Sequence, residues 1–264
     1  MKKLLVLLLA VAMIFTFAAC GNNTQAPTDE PAEAPAETPV ANDGVLTMAT
    51  NAEFPPFEYL EGTEIVGADV DMAKALAEKL GLELEITNID FDAALTGAAT
   101  GKYDVAIAGI TATDERKNNM NFSDDYYTAS QAIIVTSESD IAGKDDLAGK
   151  VIACQEGTTG EQFLLDNEYE IQSFKTGSEA VSALTTGKVD AVVIDNAVAK
   201  ALSEQQNGAT VVLDEALTEE AYAIALQLGN DDLTAKINDA LAELKADGTL
   251  AEIFEKYDLP FDAE

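Results

Sequence analysis

The sequence predicts an α/β protein made of two similar lobes in tandem with a ligand cleft between them, and three observations carry that reading. Short apolar runs alternate with helix-period segments, which indicates parallel or mixed sheets covered by helices. The segment TGKYDVAIAG, 100–109, is echoed by TGKVDAVVID, 186–195: Thr-Gly-Lys-x-Asp followed by four apolar residues. Each copy follows a run of small residues at helical spacing, ALTGAA at 94–99 and SALTT at 182–186, so the strands ending at Gly109 and Asp195 hold equivalent places in two units. Ligands sit at the carboxyl ends of strands in open α/β sheets, and two such ends facing one another make a cleft.

Taken in order, VLTMA at 45–49 reads as a strand, and DMAKALAEKL at 71–80 as a helix. Met72, Ala75, Leu76 and Leu80 share a face of it, with Asp71 as N-cap and Gly81 just past the end. Residues 83–89 alternate like a strand, 91–100 form a small-residue helix, and 105–108 a buried strand that runs into the loop GITATDERK. Ala132–Val135 is a further strand, and VIACQ at 151–155 is the counterpart of the first one. EGTTGEQF, 156–163, leaves that strand and opens a helix; NAVAKALSE, 196–204, is another. YAIAL at 222–226 reads as a strand, and 233–245 as a helix with apolar residues at 233, 237, 241 and 244.

Composition removes whole classes of function. The 264 residues carry 15 Lys+Arg against 48 Asp+Glu, a formal charge of −33, so the concentrated cations that phosphate contacts need are missing and nucleic acid is excluded as a partner. With no histidine, Ser-His-Asp and Cys-His nucleophiles and His-bearing metal sites are excluded too. The acidic pairs Asp69/Asp71, Asp90/Asp92, Asp124/Asp125 and Asp145/Asp146 lack a Gly-centred ligand loop and read as caps and solvated turns, so no metal and no cofactor is expected.

Residues 1–20, MKKLLVLLLAVAMIFTFAAC, have a basic start, an apolar run too short to span a bilayer, and small Ala18 and Ala19 before Cys20. That reads as an export signal, and the placement of Cys20 resembles a bacterial lipobox, in which the cysteine is lipidated. Residues 21–43 are rich in Pro, Ala, Glu and Thr and cannot bury enough surface to order themselves, so they read as a tether. The expectation is a globule held at arm's length from the outer face of a membrane. Cys154 alone remains beyond Cys20 and reads as a strand core residue, so no disulfide is expected.

Arg116 is the only arginine in the chain. Its fork suits a carboxylate, with Thr111 and backbone amides of the loop after Gly109 able to take the remaining lone pairs. In the second unit Thr158 and Thr159 stand at a helix N-terminus that favours an anion. Asp195, at the equivalent strand end, can hold an ammonium. A carboxylate clamp facing one placed carboxylate suits a zwitterionic amino acid. Singly, each residue has a plainer use: Arg116 in a surface ion pair with Asp114, Glu115 or Asp125, Asp195 and the threonines as helix caps.

Over 44–258 the sequence resembles the family 3 extracellular solute-binding proteins, the amino-acid receptors of bacterial ABC importers. The resemblance is carried by ATNAEFPPFEY (49–59), GADVDMAKALAEKLG (67–81), DFDAALTGAATGKYDVAIAGITATDERKNNMNFSDDYY (90–127), EGTTGEQF (156–163) and GKVDAVVIDNAVA (187–199). It implies the periplasmic-binding-protein type II fold: lobe 1 from 44–129 and 222–264, lobe 2 from 130–221, hinge crossings near 127–131 and 221–223, and closure on ligand. It implies that Arg116, Thr111 and Gly109 bind the α-carboxylate with Thr158 and Thr159, that Asp195 binds the α-ammonium, and that Phe54 and Phe91 flank the side chain. Asn51 and Gln155 stand where that side chain is reached; as neutral amides they favour a polar, uncharged one, while Glu53 and Glu156 leave a cationic one open. The implied partners are a free L-amino acid, the permease subunits of an importer, and the bilayer through Cys20 alone, the protein being a monomer and not an enzyme. Dehydratases of cyclic acids and ligand-sensing domains are the alternatives on such a fold.

Overall fold

The computed structural model describes residues 44–261; the segments expected to be an export signal ending at Cys20 and a tether, and the last three residues, lie outside them. The chain opens with β1 (Val45–Thr50), a small antiparallel sheet of β2 (Glu53–Phe54), β3 (Glu58–Glu61) and β4 (Glu64–Val66), and α1 (Ala68–Leu80). It continues through β5 (Glu83–Asn88), α2 (Phe91–Ala99), β6 (Val105–Ala106), the one-turn α3 (Asp114–Lys117) and β7 (Met120–Phe122). After β8 (Tyr127–Ala129) come β9 (Gln131–Thr136), β10 (Val151–Gln155), α4 (Thr159–Asp166), β11 (Glu170–Phe174) and α5 (Gly177–Thr185). The second sheet's region ends with β12 (Ala191–Asp195), α6 (Asn196–Glu204) and β13 (Thr210–Val212). β14 (Glu220–Tyr222) returns beside β8, and β15 (Ala225–Gln227), α7 (Asp231–Ala246) and α8 (Thr249–Lys256) follow.

Two five-stranded sheets result, ordered β5-β1-β6-β15-β7 and β11-β10-β12-β9-β13. Each has three parallel strands followed by an antiparallel one, β15 in the first and β9 in the second. The sequence echo is therefore a structural one, and its residues have identical jobs. Gly101 and Gly187 end α2 and α5 in the left-handed conformation (φ 71° and 69°), which a Cβ would penalise. Lys102 and Lys188 then donate their amides back to the Gly97 and Ala183 carbonyls. Asp104 and Asp190 accept from the Thr47 and Val151 amides, both at 2.8 Å, tying each β-strand entry to the first strand of its lobe.

Three expectations need correction. The first helix begins at Ala68, not Asp71: Gly67, at φ 134°, lies where a Cβ would strike the Phe57 carbonyl, and that turn lets the Ala68 and Asp69 amides donate to Pro56 and Phe57. Asp71 is a first-turn residue that pairs with Lys74 and Lys256. The strand read at 222–226 is broken in two, because Tyr222 ends a strand paired with β8 while Ala225 starts one in the first sheet. Arg116 lies on a helical turn rather than in a loop, because Thr113 caps it, accepting from the Arg116 amide.

The main apolar cluster runs through α1, α7 and α8, across Phe57, Tyr126, Tyr127 and Tyr222, and into α5 and α6; smaller clusters lie under α2 and under α4. Cys154 is fully buried in the last of these, and burial pushes its thiol up to about 11. No helix among the described residues is long and apolar enough to cross a membrane.

Candidate functional site

At one end of the cleft stands the lone guanidinium. Half-buried Arg116 donates to the Thr111 carbonyl at 2.8 Å and, across to the other lobe, to the Gly157 carbonyl at 3.0 Å. Its guanidinium carbon lies 5.5 Å from the Phe91 ring centroid, and it forms no ion pair with any described residue. Burial works against its charge, while Asp195, Glu220, Asp92 and Glu115 favour it. α4 begins alongside: Thr158 caps it, accepting from the Glu161 amide, and donates its own hydroxyl to the Gln155 carbonyl. The first intrahelical bond there is Gln162 to Thr158, so the Thr159 and Gly160 amides are the unpaired donors of a helix N-terminus. Thr111 and Thr159, one from each lobe, donate to the same oxygen of Glu220, each at 2.7 Å.

Asp195 closes β12 and is 4% exposed. It stands at the N-cap position of α6 without capping it; its carboxylate instead accepts from the Tyr222 hydroxyl at 2.6 Å. Burial, and then the charge of Glu220, raise its pKa to about 7, against the hydrogen bonds from Tyr222 and Gln131. Nearby, the Gly109 amide donates to Asp69 at 2.9 Å, as does the Tyr126 hydroxyl, so Gly109 has its carbonyl rather than its amide to offer a ligand. Burial raises Asp69 to about 6 and holds fully buried Glu58, beside it, well above the carboxylate range.

At the remaining wall, Phe54 and Phe91 are almost fully buried. Asn51 donates to the Ile89 carbonyl at 3.1 Å, and Gln155 reaches from the second lobe to donate to the Asn51 side-chain oxygen, also at 3.1 Å.

Ten residues singled out from sequence, Asn51, Phe54, Phe91, Gly109, Thr111, Arg116, Gln155, Thr158, Thr159 and Asp195, thus line one cavity of about 10 Å³, which Glu58 and Ala108 complete. That is room for about one water molecule, so a ligand can be housed there only if the walls move apart. Glu53 and Glu156 are not among the lining residues; Glu156 pairs with Lys175 at 2.6 Å. Glu58, Glu220 and Tyr222 escaped the sequence reading. The last two had a signal, since in EAYAIAL their spacing of two puts them on one face of a strand. Among the described residues no group of His, Cys, Asp and Glu is placed to hold a metal ion.

The sequence pattern of the bacterial extracellular solute-binding proteins, family 3, matches residues 46–260. The chain belongs to that family. The arginine-binding extracellular protein ArtP of Bacillus subtilis (strain 168) is 34% identical to it, over 97% of this chain and 98% of that one. The L-cystine-binding protein TcyJ of Escherichia coli (strain K12) is 31% identical, over 83% and 84%. Among solved structures, an ancestral arginine-binding protein bound to glutamine is 43% identical at a TM-score of 0.78, covering 82% of this chain and 99% of its own. The arginine-, lysine-, histidine-binding protein ArtJ from the thermophilic bacterium Geobacillus stearothermophilus is 35% identical at 0.77, covering 80% and 94%. The fold is that of the periplasmic amino-acid-binding proteins, and the protein is an extracytoplasmic solute-binding protein of an ABC transporter, not an enzyme.

Proposed function

We propose that the protein captures a single L-amino acid between its lobes and hands it to the permease of an importer. Arg116, with the Thr111 amide and the N-terminus of α4, takes the α-carboxylate; Asp195, with the Gly109 carbonyl, takes the α-ammonium; Phe54 and Phe91 sandwich the side chain, whose end meets Asn51 and Gln155. The carrying observation is Arg116: a guanidinium that touches carbonyls of both lobes yet has no anionic partner at ion-pair distance among the described residues. Such a group binds an incoming carboxylate far better than it tolerates staying alone.

The lobes divide, on this reading, at 44–129 with 222–264 and at 130–221, with β8 and β14 as the paired hinge strands. Cys20 is the lipid anchor, residues 21–43 the tether, and the working form a monomer. The relatives named for arginine, and the ancestral relative bound to glutamine, support a ligand of that length with a polar or cationic end. Calorimetric titration of the protein, stripped of ligand by unfolding and refolding, against the standard amino acids tests it. One or a few should bind tightly, and Arg116→Ala should weaken that binding at least a hundredfold. Binding of none, or an Arg116→Ala variant that binds like the wild type, overturns the reading.

A further inference from the structure

Among the described residues, the buried side-chain polar atoms that lack a hydrogen-bond partner are all oxygens: both of Glu58, one of Asp69, and the amide oxygens of Gln131 and Gln155. Of these amides, Gln155 lines the cavity and is 2% exposed. An amide side chain can ordinarily turn over and present either its oxygen or its NH2, so an unpartnered oxygen would by itself say little about a ligand. Here it cannot turn freely, because a chain of bonds sets its direction. The Ile89 carbonyl can only accept, which forces Asn51 to point its NH2 there and its oxygen toward Gln155. That oxygen can only accept in turn, so Gln155 must point its NH2 at Asn51, and its own oxygen is left buried without a partner on a residue of the cavity wall.

We infer that the Ile89 carbonyl, Asn51 and Gln155 form a polarity relay that makes the side-chain end of the cavity a fixed acceptor, selecting amino acids whose side chains end in N–H donors and rejecting those that end in a carboxylate. Charge is not what the relay reads. Glutamine, citrulline and arginine all bring donors of similar reach, whereas glutamate has glutamine's shape and, ionised, only acceptors. Asn51 belongs to the first lobe and Gln155 to the second, so the acceptor is fixed in place only as the lobes meet. A glutamate whose α-carboxylate and ammonium have docked would still oppose the last step of closure, since its carboxylate would face the Gln155 oxygen with no proton between them. Asn51 acts through Gln155 and is a positioning residue.

This inference rests on the amino-acid receptor reading, and one titration panel separates the two. The protein is titrated with L-arginine, L-citrulline, L-glutamine and L-glutamate at neutral pH. The relay predicts that citrulline and glutamine bind, and that glutamine binds at least a hundredfold more tightly than glutamate. Glutamate within tenfold of glutamine overturns the relay while leaving the receptor reading intact; so does arginine binding with citrulline and glutamine both undetectable, which would mean that charge is read instead. If no amino acid in the standard set binds, it is the receptor reading that fails. In Asn51→Leu, Gln155 is free to turn over, so the glutamine-to-glutamate ratio should fall at least tenfold toward unity. A merely structural lesion would weaken both ligands together and leave the ratio unchanged, and an unchanged ratio in a folded Asn51→Leu protein counts against the relay.

Discussion

On the proposed reading, Asp195 must lose its proton to hold an ammonium. An ordinary Asp titrates near 3.8, and this one, in the folded protein, near 7. Between those values the folded state keeps a proton that the unfolded chain has lost, so the stability of the unliganded protein falls as pH rises through that window and levels off above it. Ligand binding runs the other way. Below pH 7 the ammonium must displace the proton, so affinity should climb with pH by up to about tenfold per unit and flatten beyond about 7. Titrations from pH 5.5 to 8.5 would show that profile, with a proton released on binding at the acid end; Asp195→Asn should bind weakly with the slope gone, and a flat wild-type profile would remove Asp195 from the ammonium site. Arg116 and Asp195 were legible in the sequence because a lone arginine and an acidic strand end are conspicuous by type and place. Glu58 was not, because in PPFEY nothing distinguishes a carboxyl that is 0% exposed from one in water; only the packing of Phe57 and Asp69 around it does.

At the level of the element, α4 shows how a plain structural role and a ligand role can share one residue. Thr158 was readable as an N-cap, and it is one; the same hydroxyl donates to the Gln155 carbonyl and so pins the strand end that lines the cavity. Thr158→Ala should cost about 1 kcal/mol of stability in urea denaturation without ligand, as for other capping threonines, and Thr158→Ser much less. The helices and the parallel strands were legible because glycine stops and apolar periodicity are local signals. Strand ends were not, since 222–226 is uniformly apolar and its division between two sheets is decided by partners distant in the chain, Tyr127 for one half and Ala106 and Phe122 for the other. The small sheet of β2 to β4 was invisible for a related reason: its strands are two to four residues long, too short to show an alternation.

For the whole molecule, the hydrogen bonds at the cleft that tie lobe to lobe include Arg116 to Gly157, Gln155 to Asn51, Tyr222 to Asp195, and Thr111 and Thr159 through Glu220. Bonds of this kind exchange readily with water, and on the proposed reading a ligand that adds contacts to both sides shifts the balance to the closed form. Arg116 is the tie at which, on the proposed reading, ligand and lobes meet, and there the shape of its side chain matters as well as its charge. A planar fork can hold the Thr111 and Gly157 carbonyls from one edge and still present N–H groups to a carboxylate; a lysine ammonium is a single point and can serve one lobe at a time. Arg116→Lys should therefore bind the ligand 10- to 100-fold more weakly, about 1.4 to 2.8 kcal/mol. The loss should appear mainly as faster dissociation, because encounter with the open cleft needs only the positive charge while staying shut needs the fork. Stopped-flow association and dissociation rates decide the matter: a lysine variant whose dissociation rate matches the wild type would mean that charge alone closes the cleft.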